Sequence, residues 1–218
     1  MQHPFIKVCG MTRTEDIRLA LSLGARFVGC VVDVPRSPRT VSIARAAALS
    51  MAAQGALVCV VVDMPRDDLR RLIESASPAA VQLHGSETAS AMLDLKREFP
   101  DLALWRAVGV EASDAAEQTI ATASMAAEAG ADAIVLDASV RGISGGTGVT
   151  CDWDVAARAV AALEVAVILS GGLCPENAAE AVRRVCPTGI DLSSGVEERP
   201  GVKSPERLRA LFRALEGL

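Results

Sequence analysis

Two side chains that can exchange protons stand at the ends of apolar runs in this 218-residue sequence. Cys9 ends the run FIKVC, and Asp137 ends the run AIVLD. A thiol acts as a base or nucleophile only when it is deprotonated, and a free cysteine has a pKa of about 8.5. A carboxylate is costly in a core unless it is paired, so we expect Asp137 to face the mouth of the fold. The alternatives are an inert core cysteine and an aspartate that only accepts from a loop amide.

Three glycine-rich segments follow apolar runs in the second half of the chain, namely GGTG at 145–148, SGGL at 170–173 and SSGV at 193–196. Glycine lets a backbone approach an anion closely and turn its amides toward it. Any one segment could simply make a tight turn, but two in succession, the second with hydroxyls, favour a phosphate site. The residues predicted to bind substrate here are Gly146, Gly171, Gly172, Ser193, Ser194 and Gly195.

Two further side chains are candidates for substrate contact, Arg39 in the loop DVPRSPRTVS and His84 after AAVQL, and Arg39 could equally be a solvated loop charge. His84 could equally be a structural histidine, and Arg36 in the same loop as Arg39 is interpreted as a solvated charge. The segment GISGG at 142–146 matches the GxSxG nucleophile elbow of hydrolases. That motif needs a strand entering the turn and a histidine later in the chain. Both histidines precede the segment, so a hydrolase is not predicted.

Eight short apolar runs alternate with longer runs of helical texture, which favours a parallel sheet covered by helices. The predicted strands begin at Phe5, Ala25, Ala56, Ala79, Leu102, Asp132, Val165 and Gly189. The predicted helices begin near Thr14, Ser42, Arg66, Glu87, Ser113, Trp153, Glu176 and Ser204. Eight units suit closure into a (β/α)₈ TIM barrel of the α/β class, and an open doubly wound sheet is the alternative. Active sites of such barrels lie at the carboxyl ends of the strands, where the polar residues above occur.

Composition and charge narrow the class of protein further. Half of the residues are hydrophobic but only 3% are aromatic, so aliphatic side chains must fill the core. No linker or low-complexity segment interrupts the pattern, which predicts a single domain over residues 1–218. The formal net charge is −5, without a basic stripe, so nucleic acid is not a predicted partner. No apolar stretch is long enough to span a membrane, and the first residues do not resemble a secretory signal.

The six cysteines form no CxxC pair and only two histidines are present, so no metal site is predicted. Reduced thiols in a cytoplasmic protein are the better interpretation of these cysteines. No broad exposed apolar stripe is evident, and a monomer is predicted.

The motifs together resemble those of the phosphoribosylanthranilate isomerase family of tryptophan biosynthesis. They are KVCGMT at 7–12, PRSPRTVS at 35–42, VQLHG at 81–85, LDASVRGISGGTG followed by CDW at 151–153, LSGGLCPEN at 169–177 and DLSSGVEERPGVKS at 191–204. Six such segments in the same order extend over nearly the whole chain.

The resemblance implies an Amadori rearrangement of a phosphorylated aminoaldose to an aminoketose, with no metal or redox cofactor. It implies that Cys9 is the general base, that Asp137 is the general acid, and that Arg39 holds the anthranilate carboxylate. The SGG and SSG segments match the family's phosphate site. Two departures from the family affect the aryl pocket: CVVDVP stands where aromatic residues usually precede the arginine, and VTCDW replaces a Lys-Thr, Phe-Asp-Trp segment.

Two other functions are compatible with these residues. The first is a paralogous barrel isomerase on another phosphorylated sugar or amine, which the altered second loop, the loop DVPRSPRTVS after the second predicted strand, favours. The ribotide isomerase of histidine synthesis fits poorly, because that family has an aspartate where Cys9 stands. The second is a phosphate-binding protein without catalysis, which the presence of both Cys9 and Asp137 disfavours.

Overall fold

Strands and helices alternate along the chain in the computed structural model, which describes residues 3–110, 116–138 and 151–218. The strands are β1 (Phe5–Val8), β2 (Phe27–Val32), β3 (Thr40–Val41), β4 (Leu57–Val61), β5 (Ala80–Leu83), β6 (Ala103–Gly109), β7 (Ala133–Asp137), β8 (Ala166–Leu169), β9 (Gly189–Leu192), β10 (Glu197–Arg199) and β11 (Val202–Lys203). The helices are α1 (Thr14–Ser22), α2 (Ile43–Ala53), α3 (Arg66–Ala76), α4 (Ala89–Glu98), α5 (Ala116–Glu128), α6 (Trp153–Ala162), α7 (Ala178–Val185) and α8 (Pro205–Ala214).

Eight parallel strands close into a barrel, which confirms the predicted (β/α)₈ TIM-barrel fold. Their order is β1-β9-β8-β7-β6-β5-β4-β2, and β2 pairs with β1 to complete the circle. Lys7 lies opposite both Phe27 on β2 and Asp191 on β9 in this register. The open doubly wound sheet is therefore excluded, because such a sheet has two unpaired edges.

Local sequence explains where several helices begin. Ser42 and Ser204 each accept a backbone N–H three residues ahead, and Pro205 follows the second cap at the first helical position, where its missing N–H costs nothing. Two predicted starts are slightly early: Thr88 caps α4, which begins at Ala89 rather than near Glu87, and α7 begins at Ala178 rather than near Glu176. The predicted start at Ser113 lies outside the described residues.

Three strands were not among the eight predicted. β3 is a two-residue extension that pairs with β2, and β10 and β11 form an antiparallel hairpin after the last barrel strand. Their sequences, TV, EER and VK, are too short or too polar to give a period-two signal. The hairpin nevertheless contributes two side chains to the site described below.

Successive side chains on a strand point to opposite faces of the barrel wall, so the core has an outer part, against the helices, and an inner part, inside the barrel. On β7, Ile134 and Leu136 pack outward against the helices, whereas Ala133 and Val135 belong to a smaller cluster inside the barrel. Phe5, Phe27 and Trp105 complete this inner cluster, with Phe27 and Trp105 in an edge-to-face arrangement at 5.1 Å between ring centroids. None of the helices in the described parts of the chain is long and apolar enough to cross a membrane.

Replacing Trp105 with alanine should destabilise the protein by about 3–5 kcal/mol, because it removes the largest side chain of the inner cluster. Trp105 is only 5% exposed, so the cavity left by its truncation would lie inside the barrel, away from solvent. Urea unfolding followed by circular dichroism measures the loss. Met51→Ala is the control, since Met51 is 85% exposed and its truncation should leave the free energy of unfolding nearly unchanged.

Candidate active site

Cys9 lies at the carboxyl end of β1, where three chain segments approach one another. A Cβ atom built on Gly10 would lie 2.6 Å from Cδ of Arg39 and 2.8 Å from Oγ of Ser193. Gly10 also has a φ of +77°, a conformation that glycine adopts without strain. The absence of a side chain at residue 10 thus lets the predicted arginine and serine converge beside Cys9.

Asp137 lies at the carboxyl end of β7, on the other side of the same mouth. Its Oδ2 is 3.8 Å from Nε2 of His84 and 3.4 Å from Oγ of Ser170. A Cβ built on Gly171 would be 3.2 Å from Oδ1 of Asp137. The structure therefore brings Asp137, His84 and the SGG segment together, as the positions at strand ends predicted.

The SGG and SSG segments are in direct contact. A Cβ on Gly195 would fall 2.0 Å from the carbonyl oxygen of Leu173, so no other residue fits there. Gly171 and Gly172 both have positive φ, and Ser194–Val196 forms a single 3₁₀ turn. This turn follows the last barrel strand, where barrels frequently bind a phosphate.

Hydrogen bonds hold both segments in place. The Asn177 side chain accepts from the amide of Cys174 at 2.8 Å and donates to the carbonyl of Gly172 at 3.0 Å. Nε of Arg207 donates to the carbonyl of Gly195 at 2.7 Å. The glycine backbone is therefore fixed by neighbouring side chains and does not rely on a ligand for its shape.

Arg39 is held by a carboxylate that the sequence analysis did not single out. Its Nε and Nη2 donate to Glu197 at 2.7–3.1 Å, and the Glu197 carboxylate also accepts from Nζ of Lys203 at 2.9 Å. Burial raises the pKa of Glu197, but the two cations outweigh burial and hold it below its usual value. The β10–β11 hairpin thus fixes the orientation of the arginine, while Arg36 is exposed as predicted.

A polar layer of three side chains, Lys7, Gln82 and Asp191, lies inside the barrel beneath this mouth. Nζ of Lys7 donates to Oδ2 of Asp191 at 2.5 Å and to Oε1 of Gln82 at 3.0 Å. All three side chains are buried. Burial would lower the pKa of Lys7, but Asp191 and Cys9 outweigh burial and raise it, so the amine stays charged.

The polar layer also determines the tautomer of His84. Because Oε1 of Gln82 accepts from an ammonium, the amide nitrogen of Gln82 must be the atom that lies 3.1 Å from Nδ1 of His84. Nδ1 is then an acceptor, and the proton is on Nε2, which faces Asp137. Burial lowers the pKa of His84, with Asp137 opposing the shift, so the ring is neutral at pH 7.

Cys9 is buried, with 8% of the residue exposed. Burial outweighs the neighbouring cations and raises the pKa of the thiol above its ordinary value, while Lys7 and Lys203 lower that pKa and Asp191 raises it. Cys30 and Cys59 are buried within strands, as expected for inert thiols, and all six cysteines are free. Of the predicted site residues, Gly146 lies outside the described residues, as does the GISGG segment.

The sequence analysis did not single out five residues of this site, namely Lys7, Gln82, Asp191, Glu197 and Lys203. A signal for the first three was present, because each is a polar residue inside an otherwise apolar strand, FIKV, AVQL or GIDL. A buried polar group requires a partner, so three such residues in one barrel predict mutual contact. Glu197 and Lys203 gave no comparable signal, since they belong to a polar segment that is typical of a surface loop.

Comparison with known proteins places these features in a family. The model of the family described as N-(5'-phosphoribosyl)anthranilate (PRA) isomerase matches residues 6–214. The N-(5'-phosphoribosyl)anthranilate isomerase of Methanopyrus kandleri is 39% identical over 217 residues, which cover 98% of this chain and 99% of that protein.

Solved structures agree with this match. The crystal structure of phosphoribosyl anthranilate isomerase from Thermus thermophilus is 36% identical and superposes with a TM-score of 0.80, covering 97% of this chain and 98% of that one. A phosphoribosyl anthranilate isomerase in complex with reduced 1-(o-carboxyphenylamino)-1-deoxyribulose 5-phosphate is 28% identical, with a TM-score of 0.81 and coverage of 99% and 100%.

Proposed function

The chain belongs to the N-(5'-phosphoribosyl)anthranilate isomerase family, and we propose that it performs that family's reaction with Cys9 as general base and Asp137 as general acid. The reaction is the Amadori rearrangement of N-(5'-phosphoribosyl)anthranilate to 1-(o-carboxyphenylamino)-1-deoxyribulose 5-phosphate, a step of tryptophan biosynthesis. The family's other known structures include one with a reduced form of this product, a small phosphorylated molecule.

One observation carries the assignment of roles. The two glycine segments touch each other through Gly195 and Leu173, and they lie between the thiol and the carboxyl group: Ser193 is beside Gly10, and Gly171 is beside Asp137. A phosphate held on these segments would place the attached sugar within reach of both groups. A phosphoribosyl substrate needs this arrangement, because its reacting carbons are connected to the phosphate through one furanose ring.

Asp137 begins the reaction in this proposal. In its protonated form it donates to the furanose ring oxygen, the bond from that oxygen to C1 breaks, and the lone pair of the anthranilate nitrogen forms a C1=N iminium. The N–H of His84, directed toward Asp137 by the Gln82 amide, faces the carboxylate that this step leaves.

Cys9 completes the reaction. Its thiolate removes the proton from C2, and the electron pair of that bond forms a C1=C2 enolamine while the iminium nitrogen becomes neutral. Protonation at C1 and loss of the C2 hydroxyl proton then give the ketone. The electrons stay within the substrate, so the rearrangement requires no redox cofactor. Proton transfers by positioned groups typically contribute about 10²–10⁴-fold in rate.

Arg39 is proposed to bind the anthranilate carboxylate. Its guanidinium is oriented by Glu197, so little side-chain entropy is lost when an anion arrives. His84, Gly171, Gly172, Ser193, Ser194 and Gly195 are proposed as the remaining described contacts, and Gly146 is proposed from the sequence alone. We further propose that residues 1–218 form one domain and that the protein acts in the cytoplasm as a monomer.

Freshly prepared N-(5'-phosphoribosyl)anthranilate tests the activity, because loss of its fluorescence reports the rearrangement directly. We expect rapid loss with purified protein that elutes at the mass of a single chain in light scattering. Cys186→Ser is the matched control, since Cys186 is an exposed thiol on the C-terminal end of α7 and its removal should not change the rate.

No loss of fluorescence, together with turnover of another phosphorylated aminoaldose, would contradict the substrate and favour the paralogous isomerase. The residues to examine would then be those from Cys30 to Pro35, where aromatic side chains of the family are replaced.

A further inference from the structure

We propose that Lys7 is a positioning residue that stabilises the thiolate of Cys9 from inside the barrel. The inference rests on the proposed role of Cys9 as general base. It assigns a function to a buried cation that the acid–base steps described above do not use. Lys7 would act on the reaction only through Cys9, since it lies in the polar layer below the mouth.

Strand geometry brings the two side chains together. Residues two apart on a strand point to the same side, so Lys7 and Cys9 both face the barrel interior, above Phe5 of the inner cluster. On the neighbouring strand, a Cβ built on Gly29 would lie 2.8 Å from Sγ of Cys9 and 3.1 Å from Cε of Lys7. The thiol and the end of the lysine therefore share the space that this glycine leaves open.

The ammonium of Lys7 is held in this place by two partners. Asp191 on β9 and Gln82 on β5 accept hydrogen bonds from Nζ, and the lysine itself is fully buried. A buried ion pair generally adds little net stability compared with apolar side chains of the same volume. An apolar interior is also usual at such barrel positions, so stability does not account for a lysine here.

The other charged groups around Cys9 are Asp191, Lys203 and Arg39, and both of these cations, like Lys7, are paired with a carboxylate. Asp191 on β9 opposes thiolate formation and Lys203 on β11 favours it, but the carboxylate of Glu197 binds the Lys203 ammonium at 2.9 Å. Gly29 on β2 brings no charge. Arg39 approaches from the second loop with its Cδ against Gly10, and its guanidinium is bound to Glu197. Lys7 has the strongest favourable effect on the thiolate among these groups.

The pH dependence of Cys9 alkylation tests the proposal without any substrate. Iodoacetamide reacts with the thiolate, and peptide mass spectrometry resolves Cys9 from Cys186, whose exposed thiol serves as reference within each molecule. For Lys7→Met we expect the midpoint of Cys9 alkylation to rise by about one pH unit or more, while the Cys186 profile stays unchanged. A rise of one unit corresponds to about tenfold slower alkylation of Cys9 at neutral pH.

Two further variants keep the test decisive. The double variant Lys7→Met/Asp191→Asn avoids an unpaired buried carboxylate, and its midpoint should also rise, because Lys7 has the larger effect of the two. Gln82→Met removes a hydrogen-bond acceptor of Lys7 but no charge, and it leaves the ion pair with Asp191, so its midpoint should shift much less than that of Lys7→Met.

An unshifted midpoint in a folded variant that lacks Lys7, or an equal shift in Gln82→Met, would overturn the proposal. Failure of both Lys7 variants to fold would also overturn it, by showing that the ion pair is needed for folding. A shifted midpoint in a protein that does not rearrange N-(5'-phosphoribosyl)anthranilate would leave the inference standing and refute the proposed function alone.

Discussion

Cys9→Ser is expected to lower kcat on the order of 10²–10⁴-fold, because a serine hydroxyl is a far weaker acid than a thiol and supplies no anion to take the C2 proton. The side chains differ by one atom, and the space beside Gly29 that receives Sγ also receives Oγ. Ligand binding should therefore remain. Fluorescence turnover measures the first effect, and calorimetric titration with the reduced product analogue measures the second.

A parallel loss of binding and turnover would contradict the role of Cys9 as base, since it would place the residue in the binding surface instead. If Cys9→Ser kept the wild-type rate, a group other than Cys9 would be the general base. In the wild-type protein, the thiolate fraction of Cys9, measured by the pH dependence of its alkylation, should still be rising at alkaline pH, because burial outweighs the neighbouring cations and raises the pKa of the thiol.

Asp137→Asn is expected to reduce kcat by a similar factor, since an amide has nearly the same shape but cannot donate a carboxyl proton to the ring oxygen. The amide oxygen can still face Nε2 of His84, so the neighbouring tautomer and the mouth should be preserved. The measurement is the same fluorescence assay, with the product analogue titrated to show that the variant still binds.

The control for this variant is Asp101→Asn, which changes an exposed aspartate in the turn before β6. Its kcat should equal that of the wild type. If Asp137→Asn turned over at the wild-type rate, the acid would have to be another group. His84 would then be the first to test, although its depressed pKa leaves it neutral and a weak candidate.

Much of this site could be predicted from the sequence because it follows from the ends of strands. The ends of apolar runs hold five of the predicted residues, namely Cys9, His84, Asp137, Ser193 and Ser194. Closure of a parallel barrel brings such strand ends together at one mouth. The eight barrel strands were predicted for the same reason, since buried strands read as continuous Val, Ile and Leu runs.

The polar layer was harder to predict because its meaning depends on register. Lys7 and Asp191 are 184 residues apart, and only the pairing of β1 with β9 places them side by side. The partner of Arg39 was harder still. Glu197 belongs to a short hairpin whose sequence has no strand pattern, and its burial comes from tertiary contacts with Arg39 and Lys203.

These long sequence separations determine when the site can form during synthesis of the chain. Lys7 meets Asp191, Arg39 meets Glu197 158 residues away, and the amide of Cys9 donates to the carbonyl of Leu192. A nascent chain that has released only its first half holds the thiol and the arginine, but neither Glu197, which orients the arginine, nor Asp191, which holds Lys7 beside the thiol. Ribosome-bound intermediates should therefore be inert, and such non-local closure is slow compared with helix formation. We expect catalytic activity to appear in a single late step, when β9 docks between β1 and β8.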